Sequence, residues 1–128
     1  MPSYNSTTFN PPAPVALVGL KHKNTDEMTY LEMLIDTGAD SSLVPRSIAS
    51  RLGYGPLVGK GVDVFAFDGR VCKADVIQAD LYFENKIFRG EYLLSEDSVG
   101  ILGRDILNRL IMEFDGPGMS WQTKTRFP

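Results

Sequence analysis

Met33, Leu34 and Ile35 form an apolar run that leads straight into Asp36, and Thr37 and Gly38 then turn the chain. A strand whose side chains belong in a core is thereby made to end on a carboxylate. An ionised carboxyl beside an apolar core needs hydrogen-bond partners or a changed protonation state, so few folds accept one there without a purpose for it. Alone, the tripeptide also fits an ordinary Asx turn at a strand end. A second segment narrows the choice. Residues 99–110 read as a short buried strand, then Gly103 where backbone must pass close to something, then one or two helical turns with Ile106, Leu107 and Leu110 at helical spacing.

The rest of the chain reads as short strands separated by turn signals. Residues 1–12 are polar and Pro-containing and are expected as a flexible N-terminal arm. Strands are expected over 13–20 and 28–35, the second delivering Asp36, and Pro45 opens a short helix over 46–52. Residues 62–67 and 71–76 flank Asp68-Gly69, read as a two-residue hairpin turn. Strands at 77–83 and 86–94 flank Glu84-Asn85, and strands at 111–114 and 119–122 flank Asp115-Gly116-Pro117-Gly118. This pattern is mostly β, a closed or orthogonal β-barrel with one or two short helices.

At 128 residues the chain makes one domain. Its net charge is -3 and its Lys and Arg residues are scattered, which argues against nucleic acid or an anionic membrane as partner. No apolar run approaches a membrane span, and the polar N-terminus does not read as a secretory signal. Cys72 stands alone, which excludes an internal disulfide framework and points to a reducing, cytoplasmic setting. His22 has no second His to build a metal site and is expected to be exposed; no metal and no cofactor are implied. Cys72 reads as a hairpin or core thiol rather than a nucleophile, and Trp121 as a core or interface anchor.

Asp36-Thr37-Gly38-Ala39-Asp40, followed by Ile101-Leu102-Gly103-Arg104 with Gly103 67 positions after Asp36, resembles the paired signatures of the retropepsins, the retroviral-type aspartic proteases. The resemblance covers about residues 13–122. It implies a closed β-barrel of the acid-protease type, one lobe per chain, with residues 13–128 as the protease domain. With Met1 at its head, the chain is expected to be a cellular or bacterial single-domain member.

Hydrolysing a peptide bond with water alone takes a base to activate the water and an acid to polarise the carbonyl. Two adjacent carboxyls sharing one proton do both. The chain offers only one such carboxyl: Asp68-Gly69 and Asp115-Gly116 lack the hydroxyl residue and the apolar lead-in. The expected partner is therefore a second copy, a homodimer with Asp36 of each chain meeting on the two-fold axis, acting on a peptide or protein substrate.

The resemblance then distributes roles. Asp36, Thr37 and Gly38 form the catalytic loop, with Thr37 making a reciprocal hydroxyl-to-backbone bond across the axis and Gly38 offering backbone that substrate approaches closely. Gly38, Ala39 and Asp40, with Phe67, Asp68 and Gly69 at the hairpin tip, contact substrate. Ala39 stands where the pepsin branch has Ser or Thr, withholding a hydroxyl from the carboxylates. Asp40, Gly103 and Arg104 support the loop, the Asp40–Arg104 pair bracing it. The hairpin takes the place of the flap, although viral flaps have glycine-rich tips and here Phe67, Asp68 and Arg70 surround a single Gly69. The rival reading is a catalytically weak or inactive peptide-binding or dimerisation module on the same fold, and a third is an enzyme selective for one partner protein.

Overall fold

Strands β2 (Ala13–Lys21) and β3 (Met28–Ile35) form the central hairpin of the computed structural model, which describes residues 3–65 and 68–126. Along β3, Leu31, Met33 and Ile35 are buried while Tyr30 and Glu32 face out, the two-residue alternation of a strand with one face on a core. Before this hairpin lies β1 (Ser3–Asn5). After it come β4 (Leu43–Pro45), α1 (Arg46–Arg51), β5 (Val62–Phe65), β6 (Val71–Ala74), β7 (Val76–Phe83) and β8 (Lys86–Ser95). The chain continues with β9 (Gly100–Leu102), α2 (Arg104–Leu107), β10 (Ile111–Asp115) and β11 (Ser120–Lys124).

The strands run side by side in the order β2-β3-β9-β4-β8-β7, and β7 returns to β2 through Gly19↔Tyr82 and Leu20↔Leu81. Six strands thus close on themselves, the barrel expected from the sequence, and closure removes the exposed edges an open sheet would carry. Val18, Leu20, Met33, Ile77, Leu81 and Leu102 are fully buried inside, with Ile106 of α2 packed against them. Each such side chain contributes roughly 1.5–3 kcal/mol by leaving water.

The element that positions the site is β9. It pairs in parallel with β3 (Met33↔Gly100, Leu34↔Ile101, Ile35↔Leu102) and antiparallel with β4 at Leu43↔Ile101. The chain therefore leaves β3, loops over the end of β9 and descends on its other side as β4. Residues 36–42 are that loop.

The structure differs from the sequence reading in four places. The segment read as a loose arm contributes β1, paired with β2 through Tyr4↔Pro14 and tied to the C-terminal hairpin where the Tyr4 N–H donates to the Met119 carbonyl at 3.2 Å. The hairpin β5–β6 is paired as far as Phe65↔Val71, a register that a two-residue turn at Asp68-Gly69 does not fit, and the end of the strand expected over 62–67 lies outside the described residues. Gly69 holds φ +84, which glycine adopts at no steric cost, and Asp68 accepts from the Arg70 N–H at 3.0 Å and pairs with its guanidinium. His22, expected to be exposed, is half-buried, its Nδ1 accepting the Asn24 N–H at 3.1 Å. The last strand continues past Gln122 to Lys124, because Ile111↔Lys124 extends the ladder. Trp121 is a core anchor: it is buried, packs on Phe83 with ring centroids 5.7 Å apart, and donates its indole N–H to the Val15 carbonyl at 2.8 Å. Cys72 lies exposed on β6.

Candidate functional site

The parallel β3–β9 pairing extends one residue beyond β3, where the Asp36 N–H donates to the Leu102 carbonyl at 3.0 Å. The carboxylate is thereby fixed at the mouth of the barrel. The chain then turns: the Ala39 N–H donates to the Asp36 carbonyl at 3.2 Å and the Gly38 N–H to Asp36 Oδ1 at 2.9 Å. This is an Asx-type turn, so the bland reading of the tripeptide describes its local geometry correctly. What it leaves over is chemical. Asp36 is half-buried, and among the described residues its Oδ2 has no hydrogen-bond partner. Thr37 and Gly38 are exposed, and the Thr37 hydroxyl likewise makes no bond among the described residues.

The loop is held from behind by the start of α2. Gly103 lies so close that a Cβ there would stand 2.7 Å from the backbone carbonyl of Ser41, a distance no side chain tolerates. The Arg104 N–H donates to the Ala39 carbonyl at 2.9 Å. The Arg104 guanidinium reaches forward with two fingers, Nη1 to the Thr37 carbonyl at 2.6 Å and Nη2 to the Asp40 carboxylate. A planar fork suits that double task where a lysine would not. Six of the residues singled out in the sequence, Asp36, Thr37, Ala39, Asp40, Gly103 and Arg104, are thus joined directly, and Gly38 completes the turn.

Two residues that sequence reasoning missed complete the support. Ser42 is fully buried, and its N–H and Oγ both donate to the Asp105 carboxylate, at 2.9 and 2.7 Å, while its Oγ accepts the Gly103 N–H at 2.9 Å. The signal was present: Asp105 is an acid set among Ile101, Leu102, Ile106 and Leu107, where only a fixed partner explains a charge.

The hairpin-tip residues stand apart. Phe67 lies outside the described residues, and Asp68 bonds to Arg70, not to the loop. Along the hairpin Val62, Val64, Phe65 and Val71 are exposed, Phe65 to 73%. Neither of the two main clefts among the described residues is lined by any of residues 36–40. Among the described residues no three His, Cys, Asp or Glu side chains converge to hold a metal, and no helix is long and apolar enough to cross a membrane.

No family model and no curated protein matches the chain. Among solved structures it is similar to the EIAV protease complexed with the inhibitor HBY-793, at 27% identity and a TM-score of 0.61, over 76% of this chain and 86% of that one. That structure is a retroviral protease, and the mostly-strand barrel with two short helices is a retropepsin-like single-lobe fold.

Proposed function

We propose that this chain is an aspartic endopeptidase whose site is assembled from two copies, Asp36 of each meeting across a two-fold axis. The observation that carries the reading is the carboxylate at the end of β3, its Oδ1 fixed by the Gly38 N–H and its Oδ2 without a partner, on a loop braced by Arg104. Asp115 makes a similar turn through the Gly118 N–H but is exposed, whereas Asp36 is half-buried and its loop is braced by Arg104. The exposed Thr37, whose hydroxyl makes no bond among the described residues, fits half of a site. The similarity to a protease bound to an inhibitor adds support from outside the chain.

In the assembled site one Asp36 carboxylate takes a proton from the attacking water while the other, protonated, donates to the scissile carbonyl. As the C–N bond breaks, the pair gives one proton to the leaving amine and takes one from a hydroxyl of the tetrahedral intermediate, which restores its single shared proton. Gly38 leaves room for an extended peptide backbone, and the β5–β6 hairpin, with its exposed apolar residues, is the element free to cover it and exclude water. Thr37, Ala39, Asp40 and Arg104 hold the loop; Asp68 and Gly69, with Phe67, form the tip of the cover. The exposed, unpaired Cys72 suits a reducing, cytoplasmic setting.

The test is cleavage of a peptide library by purified protein at mildly acidic pH, repeated with Asp36→Asn. Loss of all cuts in the variant, with fold and oligomeric state retained, supports the assignment; equal cutting by both proteins rules it out. Binding of peptides without cleavage by either protein would make the chain a peptide-binding module instead.

A further inference from the structure

Four cations converge where α2 hands over to β10. A cleft of about 310 Å³ is lined by Lys86, Arg109, Lys124 and Arg126, with Leu110 and Ile111 as apolar lining and no acidic residue in its wall. Lys86 opens β8, Arg109 follows α2, and Lys124 and Arg126 lie at the end of β11 and beyond it, so three separate parts of the chain send a cation to one place. Lys124 is paired with Glu113 at 2.7 Å. Among the described residues no carboxylate stands within ion-pair distance of Lys86, Arg109 or Arg126.

In a chain of net charge -3, three of the five Lys and Arg side chains that have no carboxylate partner among the described residues gather around this one concavity, which makes it the most positive place on the described surface. The chemistry favours carboxylates on a peptide. Two guanidinium forks suit bidentate carboxylate pairing, and Leu110 and Ile111 suit the aliphatic stems between acidic groups. A nucleic-acid duplex would need a basic stripe following successive phosphates. Here the cations outside the cleft are largely consumed in pairs: Lys21 with Asp26, Arg46 with Asp75 and Glu96, Lys60 with Glu91, Arg89 with Asp80.

The cleft adjoins the candidate catalytic loop through α2: Arg104 at one end of that helix grips the Thr37 carbonyl, and Arg109 lies just past the other end. We propose that the cleft is an exosite for an acidic peptide segment, which, resting on the endopeptidase reading above, selects protein substrates carrying acidic residues outside the stretch that is cut.

Binding is measured apart from turnover, by fluorescence anisotropy of fluorescein-labelled hexaglutamate on the otherwise intact Asp36→Asn protein. Reversing Arg109→Glu together with Arg126→Glu is expected to weaken binding by about tenfold or more, whereas the same charge change at the exposed Lys23→Glu and Arg51→Glu leaves it within about twofold. Hexaglutamine is expected not to bind, and raising salt from about 0.05 to about 0.2 M weakens hexaglutamate several-fold. Should the reversed variant fail to fold by circular dichroism, Arg109→Gln with Arg126→Gln serves, with the same direction of effect. Equal weakening by both pairs of substitutions overturns the proposal. So does tighter binding of a DNA duplex of equal charge, or displacement of the peptide by equimolar inorganic phosphate. The two readings fail separately: cleft-dependent binding in a protein that never cuts removes the protease and keeps the cleft, and cutting without cleft-dependent binding does the reverse.

Discussion

Ser42 and Asp105 clamp one another through two parallel hydrogen bonds, Ser42 N–H and Oγ to the two carboxylate oxygens at 2.9 and 2.7 Å. The clamp joins the descending limb of the 36–42 loop to the first turn of α2, and the Gly103 N–H closes it by donating to Ser42 Oγ. Because Ser42 is fully buried, its hydroxyl and N–H depend on this partner set, while its carbonyl accepts the Leu93 N–H at 3.2 Å.

Ser42→Ala is therefore expected to leave the buried Gly103 N–H unsatisfied, at a cost of about 1–3 kcal/mol in urea unfolding. Asp105→Asn keeps the shape but turns one acceptor oxygen into a donor amide, and is expected to destabilise by a similar amount. The double variant should cost less than the sum of the two, since the residues act as a unit. Simple additivity would show that the clamp contributes nothing as a pair.

The Arg104 fork divides along its two fingers. The Asp40 side chain is 87% exposed and that of Arg104 40%, so the ion pair alone contributes about 0–1 kcal/mol within one chain. The bond to the Thr37 carbonyl sets the loop. Asp40→Asn should thus be mild, whereas Arg104→Lys, which keeps the charge but cannot reach both partners, is expected to lower cleavage by about tenfold or more and to weaken dimerisation. Sedimentation and peptide turnover on the two variants separate these outcomes; equal effects would mean that only charge matters.

Gly103→Ala tests the back of the loop. Its new Cβ would stand 2.7 Å from Ser41 backbone, which has no flexible side chain to move aside. A loss of about 1–3 kcal/mol, as for other overpacked sites, is expected, together with displacement of residues 39–41 and loss of activity. At Gly116 an added Cβ meets nothing within 4 Å, so Gly116→Ala is the matched control. Equal stability of the two variants in thermal unfolding would contradict the close approach.

Most of this architecture was legible before any coordinates. The β3 ladder follows from the alternation of Leu31, Met33 and Ile35, and the β7–β8 turn from Glu84-Asn85, both of which take positive φ in the structure. The loop was legible because Asp36 and Gly103 are chemically odd among apolar neighbours, and the Arg104 brace because the segment resembles the retropepsin signature. The arm was misread because β1 has no apolar periodicity of its own; it is ordered by β2 and by Met119, contacts far away in sequence. The hairpin turn was misread because Asp68-Gly69 does fit a tight turn locally, whereas the Phe65↔Val71 register, which the sequence does not encode there, does not match a two-residue turn. Ser42 was missed because a serine gives no sign in sequence that it will be buried.

Assembly from half-sites makes activity depend on concentration. Activity per chain is expected to fall on dilution below the dimer dissociation constant, and rate against pH to be bell-shaped, since one carboxyl of the pair must carry the proton and the other must not. Sedimentation equilibrium run alongside turnover checks the first point. An active monomer at every concentration would refute the shared site.

Stability at high pH reports on Tyr92. Its ring is buried, and its hydroxyl donates to the Phe88 carbonyl at 2.6 Å. Burial, with a smaller contribution from the Asp105 carboxylate, pushes the phenol up to about 12. Below the ordinary tyrosine range the folded and unfolded chains are both protonated there, so this stabilisation is complete. As pH rises from about 10 to about 12, the unfolded chain gives up the proton while the folded chain keeps it, so unfolding releases a proton and stability falls, by about 2 kcal/mol over the window. Tyr92→Phe removes the titration. At neutral pH it is expected to be about 1 kcal/mol less stable, having lost the bond to Phe88. Through the alkaline window it should decline less steeply than the parent, since the other tyrosines and the lysines titrate alike in both proteins. Urea unfolding of parent and variant at several pH values between neutrality and pH 12 gives the two curves, which should converge as pH rises and cross before pH 12; parallel curves would show that Tyr92 is not the group being held protonated.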